Sequence, residues 1–249
     1  MTRQTNPTTQ TPLLEVCVDN AEGLDAAIAG GAGRIELCSA LALGGLTPSM
    51  GLMALAAKAP VPVHALIRPR AGDFAFSISE LAIMRTDIDA ARTAGLAGVV
   101  IGASTRNGAL DEDALTALMQ AAEGMDITLH RAFDLTPDPF QAMELAISLG
   151  FKRILTSGCE RTAIEGKKLL SELNGLSRGR ISIMPGSGIR ADNAATLLKG
   201  LSVSEVHASC SVPIAHAHSK LVNMGFVSTH ERQTDAHAVA ALKSVLAAS

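Results

Sequence analysis

From residue 13 onward the chain repeats one pattern: a short, mostly apolar run followed by a longer Ala- and Leu-rich stretch with helical spacing. The short runs are 13–18 (LLEVCV), 34–39 (RIELCS), 61–68 (VPVHALIR), 98–103 (GVVIGA), 126–131 (DITLHR), 153–157 (RILTS), 181–186 (ISIMPG) and 205–209 (EVHAS). Their length and bounding turn residues predict strands. The intervening stretches, such as AEGLDAAIAGGA, ISELAIMRTDIDAARTAG and PFQAMELAISLG, are amphipathic and many end on glycine, as helices commonly do. Eight strand-helix units with crossovers long enough for parallel pairing predict one α/β domain over 13–249, a single-domain (β/α)8 TIM barrel. Alternation alone leaves an open doubly wound sheet as the second choice. Residues 1–12 are polar with a single charge and predict a disordered tail, and 210–233 predicts a long irregular loop before the last helix.

Parallel barrel strands are usually near-continuous apolar runs, and these are not. Residues two apart on a strand share a face, so Glu15 lies with Cys17 and Glu36 with Cys38. If Leu14, Val16, Val18, Ile35 and Leu37 face the helices, the barrel interior receives Glu15, Cys17, Glu36, Cys38, His64, Arg68, Thr128, His130, Ser157, Met184, His207 and Ser209. Most of them lie toward the C-terminal strand ends, where barrels of this kind place their sites. Buried carboxylates need cationic or hydrogen-bonding partners, and Arg68, His64, His130 and His207 are the candidates on this face. A closed salt-bridge network with a purely structural purpose is the plain alternative.

Composition narrows the chemistry. Hydrophobic residues make up 47% of the 249 residues, aromatic residues only 2%, with no Trp and no Tyr. The core is therefore expected to be aliphatic, and stacking platforms for nucleobases are excluded. A formal charge of −3 gives no footprint for nucleic acid or an anionic membrane. Neither a secretory leader nor a membrane span is recognisable, so a cytoplasmic protein is expected. Four cysteines are too few for a disulfide scaffold and are expected to serve as thiols.

Two functions compete for this face. If the first two strands pair in register, Cys17 and Cys38 sit side by side at ~4.8 Å and point at one ion between them. Soft thiolates select soft ions such as Cu(I), although like-charged Glu15 and Glu36 oppose thiolate formation unless they are neutralised. The HAH at 216–218 with Met224 is a weaker metal-like grouping. The rival is an enzyme acting on a small anionic metabolite, a phosphate or carboxylate. Arg68 and Arg70 would clamp the anion, while Gly186 and Gly188 of PGSGI, with Ser157, His207 and Ser209, would line its pocket. Glu36 and His130 would share proton transfer, with Asp134 orienting a neighbour.

The segments LLEVCVDNAEG, RIELCSALALGGLTPSMG, IRPRAGDF, DITLHRAFDLTPDP, RILTSG, IMPGSGI and EVHAS together resemble the CutC family of copper homeostasis proteins, from about residue 13 to 209. That resemblance implies a (β/α)8 barrel, a cytosolic location, a homo-oligomer and an association with copper. It also implies Cu(I) binding by the cysteines of EVCVD and IELCS, here Cys17 and Cys38.

Overall fold

The computed structural model describes residues 11–214, 219–228 and 230–248. Eight parallel strands alternate with helices around a nearly closed barrel. The strands are β1 (Leu13–Val18), β2 (Arg34–Leu37), β3 (Val63–Leu66), β4 (Gly98–Ile101), β5 (Asp126–Leu129), β6 (Arg153–Thr156), β7 (Ser182–Pro185) and β8 (Glu205–Ala208). The helices between them are α1 (Ala21–Gly30), α2 (Met50–Ala56), α3 (Ile78–Ala94), α4 (Glu112–Ala121), α5 (Pro139–Leu149), α6 (Lys167–Ser177) and α7 (Ala194–Leu198). Each strand ladders to its sequence neighbour, and β8 returns to pair with β1. Among the described residues no ladder joins β7 to β8. They meet through side chains instead, with Ser182 Oγ 3.3 Å from Ser204 Oγ. A cleft of about 340 Å³ lined by Ser182, Ser202 and Ser204 opens beside this seam.

Local chemistry sets the element ends. The Asn20 side chain accepts the Gly23 N–H at 2.7 Å and starts α1, and Ser77 with Glu80 forms a reciprocal capping box on α3. Helices α1 and α5 stop at Gly31 and Gly150, both left-handed with φ near 88° and 89°. Outward strand residues Val16, Ile35, Leu37, Ile101, Leu129, Ile154 and Val206 are fully buried against Ala27, Met53, Ile88, Leu115, Leu170 and Leu242. Each such aliphatic side chain contributes about 1.5–3 kcal/mol, which gives the aliphatic core expected from the composition.

Most strands end one or two residues earlier than the apolar runs suggest. Cys38, Gly102, His130, Ser157 and Ser209 consequently lie just past the last paired residues, with Arg68 close behind, on the loops of the C-terminal mouth. The segment 210–233 is not uniformly irregular. It contains an antiparallel pair, β9 (Ser211–Pro213) with β10 (Arg232–Thr234), and a short helix α8 (Ser219–Asn223), before α9 (Ala236–Ala247). His216 and His218, and the polar tail up to residue 10, lie outside the described residues. No described helix is long and apolar enough to cross a membrane.

Candidate functional site

The inward face holds two polar layers of different character. The lower one is a chain of alternating charges. Arg34 donates through Nε to Glu15 and through Nη2 to Glu205. Arg153 donates to Glu205 at 2.8 Å, to Asp126 at 2.8 and 2.9 Å, and to Thr128 Oγ1 at 2.9 Å. Every carboxylate therefore has a guanidinium, which is the condition for keeping charges in a low-dielectric interior. Burial alone would push the Glu15 carboxyl up, but the His207 hydrogen bond and the Arg34 charge hold it well below the usual range. This floor matches the closed salt-bridge network considered from sequence, but with other members. Glu15 pairs with Arg34 and, as one of the expected candidates, with His207, but not with Arg68.

Arg34, Asp126, Arg153 and Glu205 escaped the sequence reading because each opens its strand. Stepping back two residues from Glu36, Thr128, Leu155 or His207 finds all four on the same face.

Above this floor the polar groups are less completely paired. The register sets Cys17 level with Glu36, and Glu15 level with His207. His207 Nδ1 lies 2.8 Å from Glu15 Oε1, which aims Nε2 at Glu36 Oε2, 3.8 Å away. Ligand atoms of Cys17, Glu36 and His207 all fall within 4.8 Å of one another, and all three residues are buried. The Cys38 sulfur reaches the same Glu36 Oε2 at 3.7 Å, and both thiols pack with Leu66 and Val100. The two cysteines are therefore not side by side. Cys38 stands a step nearer the mouth, its N–H bonding Val18 O.

Burial opposes charge on His207, but Cys17, Glu15 and Glu36 overcome it and raise the imidazole well above its ordinary value. Burial raises Glu36, assisted by the Glu15 charge against the pull of His207. Burial and the Glu36 charge push the Cys38 thiol well up. Glu36, Cys38 and His207 thus each hold a proton more firmly than in water, and an incoming cation competes with those protons.

A third group lies at the mouth above β3, β4 and β5. Arg68 is 6% exposed, and Nη1 donates to the carbonyls of Leu43 and Gly45 at 3.2 and 3.0 Å while Nη2 donates to Gly72 O at 2.7 Å. His130 is 3% exposed, and its Nδ1 accepts the Ala132 N–H at 3.1 Å. Burial and the nearby Arg68 charge depress this imidazole to about 3, so it is neutral and carries its proton on Nε2. Both side chains rest on Phe74.

The other expected site residues are distributed around this centre. The neighbours that Asp134 orients are Arg131, Thr156 and Ser157. Asp134 accepts the Ser157 N–H and O–H, the Thr156 hydroxyl and the Arg131 Nε–H, which organises the loop after β6. Glu36 meets His207 and Cys38, and no hydrogen bond or ion pair among the described residues joins it to His130. Arg70 points outward, tied to Asp73 and Glu80. A Cβ at Gly186 would lie 2.4 Å from Leu155 and 3.4 Å from His207, so this glycine makes room for the cluster, while Gly188 turns with φ +73°. Ser209 is exposed and shares a hydrogen bond with Ser211.

Three comparisons bear on this arrangement. Residues 12–212 match the family model described as the CutC family. A protein of Sinorhizobium medicae named as a family protein CutC is 57% identical over 234 residues, covering 94% of this chain and 96% of its own. A Caulobacter vibrioides protein of the same name is 54% identical over 230 residues, covering 92% and 94%. Among solved structures, one from Streptococcus agalactiae, assigned the name copper homeostasis protein CutC, superposes with a TM-score of 0.76. It is 33% identical and the match covers 80% of this chain and 98% of that one.

Proposed function

The chain belongs to the CutC family, and from that membership we propose that it handles copper, binding Cu(I) as cargo through thiols at the C-terminal mouth of the barrel. The convergence of Cys17, His207 and Glu36 within 4.8 Å, with Cys38 on the same carboxylate, carries this reading. Cu(I) is soft and accepts few ligands, so Cys17 and Cys38 supply the sulfur, and His207 Nε2 supplies a nitrogen once its proton leaves. Glu15 fixes the His207 ring from behind, as an outer carboxylate does for a ligating imidazole. The copper homeostasis name of the Streptococcus agalactiae protein supports the assignment. We place the protein in the cytosol as a homo-oligomer. The exposed Met50 and Ile78 side chains suit burial between subunits.

The test is anaerobic Cu(I) titration against a competing chelator. Wild type and the Cys159→Ser control are expected to take up the ion stoichiometrically, and the Cys17→Ser/Cys38→Ser pair to lose that uptake. Full uptake by the double variant, with folding verified by circular dichroism, refutes the proposal.

A further inference from the structure

Two buried N–H groups at the mouth have no hydrogen-bond partner among the described residues: Arg68 Nε and His130 Nε2. Desolvating a donor without replacing its hydrogen bond is unfavourable, and Arg68 adds to this a charge that no described carboxylate neutralises. Three neighbouring carbonyls hold its guanidinium in place without cancelling that charge. The other described buried guanidiniums each meet a carboxylate: Arg34 meets Glu15 and Glu205, and Arg153 meets Asp126 and Glu205. Arg68 is the exception among the described buried arginines, and it stands where barrels bind their ligands.

The two donors lie just past the ends of β3 and β5, on either side of β4. β4 runs between β3 and β5, and its inward position at the mouth is Gly102. The His130 ring folds over that glycine, where a Cβ would lie 2.3 Å from Cε1, and so leans from β5 toward β3 and Arg68. Phe74 covers both groups, its ring centroid 4.9 Å from the Arg68 guanidinium carbon and 4.8 Å from the imidazole centroid.

We propose that Arg68 Nε–H and His130 Nε2–H form a binding site for a small monocarboxylate, separate from the thiol cluster. One uncompensated positive charge beside one neutral donor matches a single negative charge shared over two oxygens. A phosphate would bring more acceptor oxygens than there are donors, because both Nη1 hydrogens and one on Nη2 are already given to carbonyls. Seating the ligand moves Phe74, which is only partly buried and sits on the loop between β3 and α3.

Acetate is the probe, titrated into metal-free protein at constant ionic strength, with sodium chloride and inorganic phosphate as comparison arms. Calorimetry is expected to show saturable acetate binding, and the His130 Nε2–H resonance to move downfield along the same curve. Arg68→Lys, which keeps the charge and loses the Nε donor, raises the acetate Kd at least tenfold, and His130→Asn at least fivefold. Arg180→Ala, at a surface pair with Glu144, leaves it unchanged. Acetate indistinguishable from chloride overturns the proposal, as does saturation by phosphate instead of acetate. Saturation that leaves the His130 resonance unmoved overturns it too, and that measurement needs no variant to fold. None of these outcomes depends on whether the thiols bind copper.

Discussion

Replacing His130 by Asn should flatten the acid limb of the stability profile. In the native protein this imidazole titrates near 3 because burial and the Arg68 charge oppose its protonation, whereas in the unfolded chain it titrates near its ordinary value of 6.5. Between those values the unfolded chain holds a proton that the native state does not, so stability falls as pH falls. One proton corresponds to about 1.4 kcal/mol per pH unit, so His130 alone removes about 2 kcal/mol between pH ~6.5 and ~5. His64, depressed by burial to about 4, adds to the slope, while Glu36, raised by burial, opposes it. The wild-type slope is therefore a sum, and the difference between wild type and variant isolates one group. Asn suits the test because its Oδ1 can still accept the Ala132 N–H at this capping position. Urea unfolding at half-unit steps of pH measures the difference. Parallel profiles for the two proteins would show that His130 is already protonated in the native state or not buried as described.

Three further outcomes follow from the same geometry. Arg34→Met should cost about 3–5 kcal/mol in urea unfolding, because Glu15 and Glu205 each lose a buried cation, and adding Glu205→Gln should restore part of that. Gly102→Ala drives a methyl into the His130 ring and should cost about 1–3 kcal/mol while shifting the imidazole resonances; an unchanged spectrum would contradict the close approach. Although burial pushes Asp126 up, its hydrogen bond and ion pair with Arg153 hold it below 3.8. Its contribution is then present above that value and lost as pH falls through the depressed pKa, so Asp126→Asn should reduce the pH dependence of thermal unfolding below pH ~4.

The barrel was legible in the sequence because each strand writes itself as a short apolar run between capped helices, and eight such runs admit few architectures. The polar interior was legible for a related reason: a carboxylate and a thiol two apart must share a face, as Glu36 and Cys38 do. Partner choice was not legible. Arg68 is the more visible cation, but pairing depends on how far each strand is staggered against the next, and the stagger brings Arg34 to Glu15 while leaving Arg68 among carbonyls. The same stagger sets Cys17 opposite Glu36 instead of opposite Cys38. No pattern within a single strand encodes that offset.

The unladdered boundary between β7 and β8 makes the cylinder mechanically uneven. Amides of β7 bond to β6 on one flank only, so hydrogen exchange there should outpace exchange in β3, which is bracketed on both sides. His207 stands on one lip of this split, with Gly186 on the other. Transient parting of the lips would wet the imidazole without unfolding the rest of the wall, giving protons and small ions a side door to the interior.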